Sequence, residues 1–200
     1  MTPRVVLLDS GGANLGSVQA AFSRLGVEAP VTSDWNAVRD ATHVVLPGVG
    51  AAAVCMAKLR ENGLDRLIPR LTQPLIGICV GMQLLFERSQ ESDTECLGLL
   101  RGEVRLLPSS PGIRVPHMGW NRLDASSGAA HALMEGLDQA SVYFVHSYAA
   151  PPSPDTIAAT THGLPFSAVV ARGSVMGAQF HPERSSASGA RLLLNFLSLS

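Results

Sequence analysis

The stretch Pro74-Leu75-Ile76-Gly77-Ile78-Cys79-Val80-Gly81-Met82-Gln83 contains an apolar run, Leu75 to Ile78, that stops at a cysteine. Gly77 and Gly81 stand on either side of Cys79, and Met82 to Phe86 continues with helical, apolar spacing. The run before the cysteine predicts a buried strand over 75–78, and the pattern after it predicts a helix over 80–88. A sharp turn from strand to helix lifts the residue at its apex out of the backbone, and flanking glycines leave room for close approach. This is the logic of a nucleophile elbow, with Cys in place of Ser. At a helix N-terminus the partial positive charge favours thiolate over thiol, and thiolate is the nucleophile. A cysteine so placed is suited to forming a covalent intermediate with a carbonyl substrate.

Working outward from this turn, Val5 to Leu8 is another short apolar run, closed by Asp9-Ser10-Gly11-Gly12. Asn14 to Leu25 places Leu15, Val18, Ala21, Phe22 and Leu25 at helical spacing, with Gly26 as a stop. Strands are predicted at 27–31 and 43–46, and a helix over 51–61 ended by Asn62-Gly63. This alternation predicts an α/β fold with a central, mostly parallel sheet flanked by helices. The second half differs. Short runs at 102–107, 123, 142–145, 157–161, 168–171 and 175–180, split by Gly, Pro and Ser, predict added antiparallel or mixed strands. Residues 188–199 predict a closing amphipathic helix.

The chain has 200 residues, enough for one compact domain over 1–200 but too few for two full ones. Apolar residues make up 46%, so core material is ample. The net charge is -1, with Lys and Arg scattered, which argues against a nucleic-acid partner because that needs a clustered basic face. Cys55, Cys79 and Cys96 are odd in number and share no short spacing, which argues against a disulfide framework or a zinc site. No apolar run approaches bilayer-spanning length. The expectation is a cytoplasmic chain with no membrane partner, no metal and no cofactor.

A nucleophilic cysteine needs a base, and the base needs a group to orient it. The run Val175–Phe180 leads into His181-Pro182-Glu183. In extended chain, residues two apart face the same way, so Glu183 can hold the His181 imidazole while His181 takes the thiol proton. The end of a strand is where α/β sheets present their sites. His43, His117, His131 and His162 have no such placement and are read as ordinary core or surface histidines. Pro47-Gly48-Val49-Gly50 also ends an apolar run, and its two glycines free backbone N–H groups to face a developing oxyanion. Taken alone, this segment is equally well a plain turn. Gln83 is either a hydrogen-bond partner for an amide substrate or a solvated first-turn residue.

Pro-Gly-Val-Gly at 47–50, Gly-Ile-Cys-Val-Gly-Met-Gln at 77–83 and His-Pro-Glu at 181–183 together resemble the class I (triad) glutamine amidotransferases. The resemblance runs from Val5 to Phe196. Three further stretches, Gly12 to Val18, Pro116-His117-Met118-Gly119-Trp120-Asn121 and Tyr143 to Tyr148, resemble the branch of glutaminase subunits that serve imidazole glycerol phosphate synthase. The resemblance implies Cys79 as nucleophile, His181 as base and Glu183 as orienting carboxylate. It implies Gly48, Val49, Gly50 and Val80 around the oxyanion, so that a small flip of the Val49 peptide would switch the activity off. It further implies Gln83, Glu91, His146, Ser147 and Tyr148 around L-glutamine. Asn14, Trp120, Tyr143 and Arg184 would then lie near a (β/α)₈-barrel cyclase subunit in a 1:1 heterodimer.

The chain departs from the family pattern at three places. Ser10 follows Asp9 where many members carry Tyr, Gly16 stands where Arg is frequent, and Arg184 stands where Lys is usual. A planar guanidinium and a point ammonium are not equivalent in an ion pair. Three rival readings are weaker. Another amidotransferase subunit would lack the three branch-specific stretches. A purely regulatory module would lack one of Cys79, His181 and Glu183. A cysteine peptidase on a similar fold usually has its His soon after the Cys, where this chain has Val80.

Overall fold

The computed structural model describes residues 3–11, 14–125 and 130–200. The fold is α/β. A seven-stranded sheet runs in the spatial order Thr156–His162, Leu164–Arg172, Val175–Ala178, Leu75–Cys79, His43–Gly48, Val5–Leu8, Val31–Thr32. From Val175–Ala178 to Val31–Thr32 all neighbours are parallel, and Thr156–His162 and Leu164–Arg172 add an antiparallel hairpin at one edge. The central strands are buried along their whole length because both faces are covered.

Helix Leu15–Arg24 packs Val18, Ala21 and Phe22 inward, helix Ala52–Glu61 packs Cys55, Met56 and Leu59, and helix Ser186–Leu197 packs Leu192, Leu193 and Phe196. A smaller sheet joins Tyr148–Ala149, Glu103–Leu106, Arg88–Ser89 and Thr94–Glu95. An antiparallel ribbon pairs His117–Arg122 with Ser141–His146.

Parallel strands end at the same edge, and this positions the site. Register pairs Ala178 with Ile78 and Gly48 with Cys79. The segments that follow three neighbouring strands, at Val49, Cys79 and Gln179–His181, therefore meet at one carboxyl edge. Ser10, beyond Val5–Leu8, reaches the same edge.

Several predicted elements have different bounds. The strand predicted at 27–31 is reduced to Val31–Thr32, an edge pairing in which Pro30 has no N–H to give. The helix predicted over 80–88 stops at Gln83. Leu84, Leu85 and Phe86 are all buried, and their carbonyls accept N–H groups of Leu97, Gly98, Leu99 and Leu100 instead of continuing a helical ladder. Helix Trp35–Asp40 was not predicted, since Val38 is its only buried residue, and its start depends on Asp34 accepting from Asn36 N–H. The strand His117–Arg122 carries Gly and Asn and was also missed. Gly12 and Ala13 of the first branch-specific stretch lie outside the described residues.

Candidate active site

Cys79 has φ 54° and ψ -112°, a left-handed backbone that a side-chain-bearing residue rarely adopts. The strain persists because the turn is packed on both sides. A Cβ at Gly81 would lie 1.8 Å from the Leu46 carbonyl oxygen, so only glycine lets the helix start this close to the neighbouring strand. Strain of this sort costs about 1–3 kcal/mol and is held by its surroundings. The elbow inferred from sequence is thus present, although the helix behind it is a single turn.

His181 Nδ1 lies 2.7 Å from Glu183 Oε1, and the two side chains are 7% and 1% exposed. Cys79 lines the same cavity as His181 and favours its charged form. Burial opposes the imidazolium, but hydrogen bonds and charge from Cys79 and Glu183 outweigh it and push His181 up to about 10. For Glu183, burial favours the neutral acid, yet His181 and then Asn14 hold its carboxyl below the usual range. The structure therefore brings together Cys79, His181 and Glu183, and the imidazole lies on the same side of the sheet as the sulfur. Asn14, expected near a partner, turns its amide inward to donate to Glu183 Oε1.

These groups open into a cavity of about 440 Å³ lined by Val49, Gly50, Val80, Gln83, Glu91, Ser147 and Tyr148, among others. Gly48 sits at the strand end beside Cys79, and Gly50 has φ 92°, a backbone open to glycine. Gln83 donates to the Tyr148 carbonyl at 2.8 Å and to Gln179 Oε1 at 3.1 Å, so its N–H groups are committed within the protein. Glu91 Oε2 accepts from Ala52 N–H at 2.7 Å. His146 Nδ1 donates to the Tyr148 carbonyl at 2.9 Å, which leaves Nε2 as a lone pair facing His117 Nδ1 at 3.1 Å. Burial drives His146 down to about 3 and His117 down to about 4. Among the described residues there is no cluster of three or more His, Cys, Asp or Glu able to hold a metal ion.

Trp120, Tyr143 and Arg184 form a connected surface group. Trp120 meets Tyr143 edge-on at 5.8 Å, and the Arg184 guanidinium sits 5.4 Å from the Tyr143 ring centroid. Trp120 is 55% exposed and Met118, on the same ribbon, 65%.

Sequence reasoning missed Gln179, which is fully buried, accepts from Gln83 and places Nε2 3.8 Å from Cys79 Sγ. The signal was available, because Gln179 precedes His181 by two residues in extended chain and so shares its face. It also missed the Val145 carbonyl, 3.8 Å from the same sulfur, and the amide of Asn14 on Glu183. No local pattern announces these contacts.

The arrangement suits acyl transfer: a buried sulfur at a strained turn, an imidazole held as a cation and a carboxylate behind it. The family model for class-I glutamine amidotransferases matches residues 6–199. The chain belongs to the class-I glutamine amidotransferase family. It is a glutamine amidotransferase enzyme. It is 57% identical over 197 residues to the imidazole glycerol phosphate synthase subunit HisH of Xanthomonas oryzae pv. oryzae (strain MAFF 311018), covering 98% of each chain. It is 54% identical over 195 residues to the HisH subunit of Xylella fastidiosa (strain Temecula1 / ATCC 700964), covering 98% of this chain and 97% of that one. A solved structure described as a glutamine amidotransferase matches with a TM-score of 0.74 and 21% identity over 96% of this chain and 97% of that one. PurLQS from Thermotoga maritima matches with a TM-score of 0.70 and 19% identity over 98% of each chain. At such identities the structures bear on the fold alone. No helix among the described residues is long and apolar enough to cross a membrane.

Proposed function

We propose that this amidotransferase is the glutaminase subunit of an imidazole glycerol phosphate synthase. It would hydrolyse L-glutamine to glutamate and ammonia and pass the ammonia to a (β/α)₈-barrel cyclase subunit in a 1:1 cytoplasmic complex. That complex makes imidazole glycerol phosphate and an aminoimidazole carboxamide ribonucleotide in histidine biosynthesis. The observation that carries the reading is the meeting of Cys79 and His181 on one cavity, with Glu183 behind the imidazole, in a chain 57% identical to a HisH subunit.

In the mechanism, the Cys79 thiolate attacks the side-chain amide carbon of glutamine. Charge gathers on the carbonyl oxygen, where N–H groups of the Gly48–Gly50 segment and of Val80 stabilise it; one such donor is typically worth ~10²–10³ in rate. Protonated His181 gives its proton to the amide nitrogen, the C–N bond breaks and ammonia leaves a glutamyl thioester. His181, now neutral, takes a proton from water. The hydroxyl oxygen attacks the thioester carbon, the C–S bond breaks, and glutamate and the thiolate–imidazolium pair are restored. Glu183 holds the imidazole and stabilises its charge throughout.

Glu91 keeps one carboxylate oxygen for the substrate ammonium, the other being bound to Ala52 N–H. Gln83 would act through its carbonyl oxygen, and Ser147, Tyr148 and His146 would shape the far wall. The exposed Trp120 and Arg184, with the half-buried Tyr143 between them, offer the aromatic and guanidinium anchors typical of interface centres.

Ammonia release from glutamine, measured with and without the cyclase subunit, tests the reading. Turnover should be weak alone, rise on complex formation and vanish in Cys79→Ala. Full turnover by the isolated chain would overturn the coupling, and turnover surviving Cys79→Ala would overturn the mechanism.

A further inference from the structure

Two side chains with no part in the triad grip the segment that follows Gly48. Ser10 is fully buried and its hydroxyl donates to the Pro47 carbonyl at 2.5 Å. The buried Cys55 thiol donates to the Val49 carbonyl, with sulfur and oxygen 3.7 Å apart. These carbonyls lie on either side of the Gly48–Val49 peptide. Burial, and then the charge of Glu91, raise the Cys55 thiol, which keeps it protonated and able to donate. The end of the segment is held separately, by Glu91 on Ala52 N–H. Between these points, Val49 is half-buried and Gly50 exposed, so little packing fixes the backbone there.

We propose that Ser10 and Cys55 are positioning residues for the glutaminase reaction: they pin the Pro47 and Val49 carbonyls and so set the orientation of the Gly48–Val49 peptide toward the oxyanion. The inference rests on the glutaminase reading above and adds to it two residues that never touch substrate. It also gives the departure at Ser10 a physical role. A serine hydroxyl is short enough to cap a carbonyl of the adjacent strand from within the core. Of the two clamps, Ser10 is the stronger, since a thiol is a weak donor.

Two readouts on the full chain in complex with the cyclase subunit separate the proposal from the reading beneath it. The first is amide hydrogen exchange at Val49–Ala52, which needs no activity. Ser10→Ala should speed exchange there about tenfold while the Leu75–Cys79 strand is unchanged. The second is glutamine kinetics. Because misplacing a reacting group by about 1 Å costs up to ~10²-fold, Ser10→Ala should lower kcat by about 10–100-fold. KM and the rate of Cys79 alkylation should stay as in the parent. Cys55→Ala should lower kcat by only a few fold, and Cys55→Ser should restore it. Should Ser10→Ala fail to fold, the Cys55 pair decides. Unchanged exchange in Ser10→Ala, kcat within twofold of the parent, or a Cys55→Ser variant no better than Cys55→Ala would overturn the proposal. A parent complex that releases no ammonia would overturn the glutaminase reading instead, leaving the exchange result to judge the clamp.

Discussion

Two groups of buried histidine meet at one cavity and have opposite electrical characters. His181 has a carboxylate on one ring nitrogen and a thiol sulfur beside it, and is pushed up to about 10. His146, also lining the cavity, hydrogen-bonds the Tyr148 carbonyl and His117 and has no carboxylate partner among the described residues, and burial drives it down to about 3. Both are 6% exposed. At the same exposure, burial drives His146 down, whereas at His181 the hydrogen bonds and charge of Cys79 and Glu183 overcome it. A buried imidazole beside anions becomes a fixed cation, suited to stabilising a thiolate and delivering a proton. One beside dipoles and other imidazoles stays neutral and becomes a scaffold. Its fixed tautomer donates to the Tyr148 carbonyl, which Gln83 shares.

The most severe way to break this contrast is to delete the cationic member. His181→Ala should reduce glutamine turnover by at least ~10⁴-fold, in line with loss of one member of a nucleophile–base pair. Ammonia release from glutamine by the complex checks this, and turnover within tenfold of the parent would show that His181 is not the base.

Glu183→Gln removes the charge and keeps the shape. Turnover should fall by about 10²–10⁴-fold, and the His181 imidazole, followed by NMR, should titrate well below its parent value. An unmoved titration would mean that Cys79, not Glu183, supplies the stabilisation.

The pH dependence of stability should carry both signatures. His181 is raised above its unfolded value, so its contribution is full below pH 6.5 and is lost as pH rises toward about 10. His146 and His117 are lowered, so the unfolded chain binds protons that the native chain refuses, and stability falls as pH drops from 6.5 toward about 4 and then about 3. One such histidine removes on the order of 2 kcal/mol between pH 6.5 and 5. Glu183→Gln should flatten the alkaline limb and leave the acid limb. Chemical denaturation across pH 5 to 9.5 checks both.

The smallest effect belongs to the scaffold. His117 stacks between Phe144, at 4.9 Å, and His162, at 4.1 Å, so His117→Phe should keep the packing and lose only the donor to His146. Turnover should change by no more than a few fold, with a shallower acid limb. A loss as large as that of Glu183→Gln would mean that the neutral group takes part in the chemistry.

The two histidine groups were unequally legible in the sequence. His181 and Glu183 follow an apolar run two residues apart, and spacing within one strand is local information. The pairing of His117 with His146 depends on the register of an antiparallel ribbon whose first strand, with its Gly and Asn, gave no strand signal. Likewise, Asn14 reaches Glu183 across 169 residues of sequence, and Ser10 reaches Pro47 only because parallel strands lie side by side. The helix after Cys79 was overestimated because apolar spacing cannot distinguish a long helix from a single turn followed by a buried loop.

By itself the sequence determined the sheet-forming apolar runs, the cysteine at the strand-to-helix turn flanked by the glycine that close packing demands, and the His181–Glu183 pair. Each depends on periodicity or on backbone freedom, both encoded within a few neighbouring residues. Tertiary structure decided which strands lie adjacent, and hence that the Cys79 sulfur, the His181 imidazole and the Gly48–Gly50 segment share one edge. It also decided the charge on each histidine, because a buried imidazole takes its protonation from groups that the fold, not the chain order, sets beside it.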